Sequence, residues 1–406
     1  MPRNIIVACP FPTDLSMRFV RAASKLHDVR LLGVVHTPPK GKDLKLYHDI
    51  VRVTEPLSVK DLIDATEIHR RRHGAPYRII GILEAMMVQL AQARAHFNVP
   101  GTRPEVATLF RDKSRMKAAL RAAGLPVAKS RLAGTARDAR EFAEEAGFPM
   151  VCKPPAGMGA KSTFRANSLA ELERILGGLG MSPERPVLLE EFLRGREFSF
   201  ETITTGGEPR VHSISHYLPP CLEALENPWI KWCCMLPRDI SGAQYDGARR
   251  MGFAAIKALG LDDGMTHMEW FLREDGTPVI GEIAQRPPGA CISIMTGVVH
   301  RIDLFRAWAR AVIDGELDAP WHRQAAAGAA FLRGMGHGRV AGLTGVGETH
   351  AAVGKYVHEA KLPTIGAPKG DGYEGDGYVI VSDPSTEVVQ QVLKKIIETI
   401  NIQYAE

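Results

Sequence analysis

The chain has 406 residues, 45% of them apolar and 24% charged, which gives material for two to four packed domains and excludes a disordered composition. A net charge of +5 and a pI near 8.8 are mild for this length and give no ground for a nucleic-acid partner. No apolar run is long enough to cross a bilayer, the N-terminus reads as a strand rather than a signal peptide, and six scattered cysteines without C-x-x-C spacing fit reduced thiols in the cytoplasm.

Asn4–Cys9 and Val29–Val35 read as strands, with a helix over Ser16–Leu26 between them. Arg78–Leu83 reads as a further strand ending in Glu84, followed by a helix over Met86–Phe97 that Pro100-Gly101 breaks. This α/β alternation predicts a parallel sheet. No G-x-G-x-x-G is present, so the dinucleotide fingerprint is missing. Helices follow over Asp112–Ala123 and from the cap Thr135, each closed by Gly and Pro. Met150–Lys153 is a strand, and Ser168 with Glu171 forms a capping box for another helix. Val187–Leu193 and Glu197–Thr204 are strands around an Arg-Gly turn. Residues 216–242 read as an irregular loop whose Trp229 and Trp232 suit a half-wet pocket wall. Helices are expected over Ser241–Leu259 and Ile302–Ile313. From about residue 325 a Gly-rich β segment, the strand Gly377–Val381 and a closing helix from Pro384 read as a separate C-terminal lobe.

The segment from Thr266 to Arg286 carries most of the chemistry. Two apolar runs flank Asp275-Gly276, the signal for a two-residue β-turn. That turn pairs Glu274 with Thr277, so paired numbers sum to 551, and Glu269 then faces Glu282. Two carboxylates so placed repel unless a cation or a proton joins them, and hard cations such as Mg²⁺ take oxygen ligands in the company of phosphates. A solvated hairpin with two surface glutamates is the plainer alternative. Arg286 shares a strand face with Glu282 and suits a carboxylate or phosphate. His267 shares the face of Glu269, to contact substrate or to stabilise the hairpin.

Lys153 ends an apolar strand and leads into a turn containing Gly157, Gly159 and Ser162, whose backbone N–H groups suit phosphate oxygens. A surface lysine before a flexible loop is the alternative. At Glu190-Glu191-Phe192-Leu193 a turning strand end can meet an adenine edge, and Glu197 can reach ribose hydroxyls. A half-buried strand with solvated acids fits the same text. Lys113, just inside a helix, would by default be solvated.

The ordered set Lys113; Lys153-Pro with its glycine loop; Glu190-Glu-Phe-Leu-x-Gly-x-Glu197; Glu269; and Glu282-x-x-x-Arg286 resembles the ATP-grasp superfamily of carboxylate–amine ligases. The match covers about Glu84 to Gly289. The resemblance implies an α/β and α+β protein: a pre-ATP-grasp parallel-sheet domain (1–110), a small lobe (111–187), a large lobe with the metal site (188–322) and a C-terminal lobe (323–406). It implies that Lys113 and Lys153 bind ATP phosphates under the loop 156–162. Glu190 and the 191–193 backbone would hold adenine, and Glu197 the ribose. Glu269 and Glu282 would hold Mg²⁺, with Mn²⁺ as the alternative ion, and Arg286 and Lys153 would be catalytic. His267, Arg286, Trp232 and Glu84 are the substrate candidates. Two departures stand out: Ala284 replaces a common metal-ligand Asn, for which Gln285 or water would substitute, and Ala160 replaces a loop Ser.

His267-x-Glu269 and the Gly-rich C-terminal part are similar to L-amino-acid (dipeptide) ligases, and Glu282-Ile-Ala-x-Arg286-Pro is equally similar to purine-pathway ligases. The implied reaction joins a small carboxylate to an amine through an acyl phosphate with release of ADP. The alternatives are a purine-type enzyme using formate or bicarbonate, for whose phosphorylated substrate Arg70-Arg71-Arg72 is the one tight basic cluster, and a nucleotide-binding regulatory module without turnover. The expected partners are small molecules, with a homodimer as the candidate assembly and neither nucleic acid nor membrane.

Overall fold

The computed structural model describes residues 2–157 and 162–405, so Gly159 lies outside the described residues. The N-terminal segment forms the expected parallel sheet, in the spatial order Asp49–Arg52, Val29–Val35, Arg3–Ala8, Arg78–Ile80. Its strands are continuous apolar runs because both faces are covered. Ile5, Val7 and Leu31 pack on the helix Asp14–Ala23, while Ile6, Ala8 and Leu32 pack under the helices Val59–His73 and Met87–His96. Phe19 meets Phe305 and Trp308 edge-on at 4.8 and 4.9 Å, which seats this domain on the helix Leu304–Asp314.

A small antiparallel sheet follows, ordered Ser130–Ala133, Val187–Glu191, Met150–Lys153, Phe164–Ala166. The helices Ala136–Ala146 and Leu169–Gly178 cover one face through Phe142, Leu172 and Leu176. Thr135 makes a full capping box with Asp138. At Ser168 only half of the expected box forms, because the Glu171 carboxylate turns to Asn167.

The large sheet is antiparallel throughout and has eight strands, ordered Pro278–Ala284, Gly264–Leu272, Arg196–Thr205, Glu208–Leu218, Cys233–Leu236, Ala326–Leu332, Gly377–Asp383, Val357–Lys361. Two expected boundaries therefore fall inside sheets. The strand Val187–Glu191 stays with the small lobe, and the C-terminal strands Ala326–Leu332, Val357–Lys361 and Gly377–Asp383 extend the large sheet, while Arg339–Thr344 and Asn401–Ala405 pair as a two-stranded sheet of their own. The stretch read as an irregular loop is largely ordered: it contains the end of one strand, the helix Cys221–Glu226 and the buried strand Cys233–Leu236. Its Pro, Trp and Cys content hid a strand whose four residues are all buried. Among the described residues no helix is long and apolar enough to cross a membrane.

Candidate active site

The small sheet, the large sheet and the C-terminal segment together line one cavity of about 530 Å³. A larger surface cleft of about 1030 Å³, around Arg18, Arg301 and Lys355, shares no residue with it.

Glu269 does pair with Glu282, but not by the route the turn signal implies. Gly276 has φ of 82°, its N–H donates to the Arg273 carbonyl, and Arg273 pairs with Thr277. The loop therefore has three residues, and pairs near it sum to 550: Leu272 with Pro278, Trp270 with Ile280. Gly281 is then bulged, which restores the sum of 551 at Glu269–Glu282. Two departures from a regular hairpin cancel. The bulge also has a use. The carbonyl it frees from the ladder accepts a hydrogen bond from Lys117 Nζ at 2.6 Å.

Lys117 is fully buried and was not among the sequence candidates, yet it is one of three lysines among these acids. It lies 3.2 Å from Glu190, and Lys153 lies 3.0 Å from the other Glu190 oxygen. Lys113 lies 2.8 Å from Glu282, and Lys153 is 3.8 Å from it. The signal for Lys117 was present: it follows Lys113 by four residues on one helix face.

Burial disfavours every one of these charges, and the neighbours decide the outcome. For Glu282 burial is outweighed by Lys113 and Lys153, which hold the carboxyl down at about 2. For Glu190 burial is likewise outweighed, by Lys117 and Lys153, so it too titrates below the usual range. Lys153 is raised, because Glu190 and Glu282 overcome the effect of burial. Lys117 is lowered by burial despite Glu190. Glu269 is raised by burial and then by Glu282, and Glu197 is pushed up to about 8 by burial and then by Glu269. One region thus holds surplus negative charge around Glu269 and Glu197, beside lysines that satisfy Glu282 and Glu190. Two facing carboxylates, of which Glu269 keeps a raised carboxyl beside Glu282, fit a hard divalent cation once Lys113 and Lys153 turn from Glu282.

The rim is built from several elements. Asp112 caps the helix Lys113–Ala122, which fixes Lys113 at its first turn. Lys113 Nζ and Arg111 Nη1 donate to the Gly157 carbonyl at 2.9 and 3.1 Å, tethering the start of the glycine loop. Glu191 accepts from Lys129 N and Arg273, both at 2.9 Å, and the Arg165 guanidinium lies 5.6 Å above the Phe192 ring. At Gly195 a Cβ would come 2.2 Å from the Leu272 carbonyl, so only glycine allows this hinge to touch the hairpin. Glu197 accepts from Cys221 N at 2.7 Å. His267 Nδ1 donates to Glu201 at 2.9 Å, which leaves Nε2 to accept from Tyr217 at 3.2 Å, with Glu269 3.8 Å away.

At the other end, Arg286 Nε donates to Glu84 at 2.7 Å, and Arg111 approaches the second Glu84 oxygen at 3.6 Å. Burial opposes the Arg286 charge, but Glu84 more than offsets it and raises Arg286. This pair also borders a second cavity of about 310 Å³, lined by Phe11, Leu15, Phe19, Ile82 and Trp308. Glu84, Arg286 and Gly289 line both cavities.

Of the sequence candidates, Glu84, Lys113, Lys153, Gly157, Glu190, Glu191, Phe192, Leu193, Glu197, His267, Glu269, Glu282 and Arg286 all line the first cavity. Ser162 is exposed at φ 60° and is not part of the lining. Trp232 is fully buried behind Tyr217 and Tyr373, with Nε1 donating to the Pro219 carbonyl at 2.8 Å. Trp229 is 64% exposed and also outside the lining. Gln285 does not replace the missing Asn, because its amide is turned away to Thr102. Tyr217, Cys221, Tyr373 and Glu374 line the cavity without having been singled out; they come from distant segments that only the joined sheet brings together.

Residues 112–205 match the family described as carbamoyl-phosphate synthase L chain, ATP binding domain. Over its whole length the chain superposes on the L-amino acid ligase from Bacillus licheniformis, with a TM-score of 0.82, 18% identity and 99% of that chain covered. The chain has the ATP-grasp fold. It resembles the carboxylate–amine ligases of that fold. It is 28% identical over 234 residues to the L-arginine-specific L-amino acid ligase of Bacillus subtilis, a stretch that covers 56% of each chain. The match thus spans about half the length of that ligase. N5-carboxyaminoimidazole ribonucleotide synthetase from Thermotoga maritima superposes with a TM-score of 0.73 at 17% identity, with all of both chains covered.

Proposed function

We propose that the protein is an ATP-dependent ligase that joins the carboxylate of one small amino acid to the amine of another. One observation carries the reading: phosphate-type lysines, a turning strand end, a pair of facing acids and the half-buried Arg286 converge on one cavity that shares Glu84, Arg286 and Gly289 with an apolar annex. The adenine lies against the 191–193 strand end, with Glu197 at the ribose. Lys113 and Lys153 leave their carboxylates for the phosphates. Glu269 and Glu282 would hold the divalent ion, Mg²⁺ or Mn²⁺, which offsets charge on the phosphates during transfer.

In this reading the substrate carboxylate attacks the γ-phosphorus and ADP leaves. The amine nitrogen then adds to the acyl carbon, and phosphate departs with the carboxylate oxygen. Arg286 neutralises the developing oxyanion, a role worth roughly 10²–10³ in rate. Glu84 receives the substrate ammonium group, and the annex takes an apolar side chain. Its lining, apolar apart from Glu84, Arg286 and a few small polar groups, suits an apolar side chain rather than a charged one.

The same annex speaks against the purine-type alternative. Arg286 is the one cation among the described residues lining it, too little for a phosphorylated ribosyl amine. The cytoplasmic assignment is supported by six free cysteines, and the homodimer is a proposal for light scattering. The test is phosphate release with MgATP across pairs of amino acids, with products read by mass spectrometry. A dipeptide formed only with an apolar first partner supports the reading. Turnover with a ribosyl amine and bicarbonate favours the purine type, and ATP binding without turnover favours a regulatory module.

A further inference from the structure

In the N-terminal domain, the helix Val59–His73 ends in a basic run beside a second group of ligand-type side chains. His69 and His73 are one turn apart on the same helix face, opposite Asp49 on the edge strand of the parallel sheet. His69 is fully buried. Its Nε2 lies 2.9 Å from the Gly33 carbonyl, which can only accept, so Nε2 carries the proton and Nδ1 presents a lone pair. That Nδ1 has no hydrogen-bond partner among the described residues and points to Asp49 Oδ2 at 3.6 Å. His73 Nε2 lies 2.9 Å from the same oxygen. The other Asp49 oxygen is already fixed by Ile50 N at 2.8 Å.

These three donor atoms lie within 4.8 Å of one another. A tetrahedral zinc with bonds of about 2.0–2.1 Å needs its donors about 3.3–3.5 Å apart, so small side-chain shifts suffice. The outer contacts are also those that metal-binding histidines use: a carbonyl holds the far N–H of His69 and so fixes its tautomer. We propose that Asp49, His69 and His73 bind a divalent cation of the zinc class, with water completing the coordination. The ion would clip the edge strand to the end of the helix. Arg72 competes for it, since its Nη1 lies 3.1 Å from Asp49 Oδ2, but its side chain is 55% exposed and can turn to solvent.

The experiment is a titration of the intact protein with Co²⁺, in excess Mg²⁺, read by visible absorption and followed by displacement with Zn²⁺. Wild type should bind one equivalent with the strong bands of a four-coordinate site and show a rise in thermal midpoint with Zn²⁺. His73→Gln and Asp49→Asn should each weaken binding at least about tenfold. Arg72→Ala, at an exposed position, should tighten it by removing the rival cation. No binding by wild type, or equal binding by wild type, His73→Gln and Asp49→Asn, would overturn the proposal.

Discussion

Replacing Glu282 by Gln keeps the shape of the hairpin and removes one of two facing carboxylates. If like-charge repulsion with Glu269 dominated, the apo protein would gain stability. The structure reverses that expectation, because Lys113 and Lys153 lie 2.8 and 3.8 Å from Glu282 and lose their counter-charge. The fall of its carboxyl from 4.5 to about 2 corresponds to about 3 kcal/mol as an upper figure. With 22% of the side chain open to the cavity, a loss of about 1–3 kcal/mol is expected. Because the folded value is depressed, this contribution is full above about pH 4.5 and fades as pH falls toward 2. The assay is urea unfolding of apo protein followed by tryptophan fluorescence, with the fully buried Trp270 of the same hairpin as the local reporter. A variant as stable as wild type at neutral pH, or a difference that does not shrink in acid, refutes the reasoning.

Glu197 behaves in the opposite sense: with its carboxyl raised to about 8, its stabilising neutral form is lost as pH rises from about 4.5 through 8. Glu197→Gln should flatten the stability profile of the apo protein across that window while raising KM for ATP. Lys117→Met leaves the Gly281 carbonyl without its donor and should cost about 1–3 kcal/mol by the same unfolding assay. Lys153→Met should lower ATP affinity in calorimetry with a smaller loss of apo stability, because Glu190 keeps Lys117; the double variant should lose more than the sum. Trp232→Phe removes the bond to the Pro219 carbonyl and should cost about 1 kcal/mol while leaving substrate titrations unchanged.

The sequence was most informative where local chemistry and period agree. The helix at Lys113, the strand ending in Lys153 and the alternation around Glu269 and Glu282 place their side chains correctly because each signal lies within a few residues. The hairpin register was reached through a turn that does not form and a bulge that was not foreseen; a lone Gly281 in a strand was the available hint. Lys117 was marked only by its spacing of four from Lys113, because its partners lie on two other strands that no single segment reveals. Tyr373 and Glu374 reach the cavity only because the C-terminal strands continue the large sheet. Trp232 was misplaced because a buried aromatic with a satisfied N–H reads like a pocket wall until its neighbours are known.

Transfer of oxygen from substrate to phosphate tests the central claim most directly. The enzyme is given MgATP, an amine and an apolar amino acid labelled with ¹⁸O in both carboxylate oxygens, and the phosphate released is analysed by mass spectrometry. Attack of the carboxylate on the γ-phosphorus requires each phosphate to carry one labelled oxygen, matched by one amide formed and one ADP released. Unlabelled phosphate alongside amide formation, or release of AMP and pyrophosphate, would contradict the account.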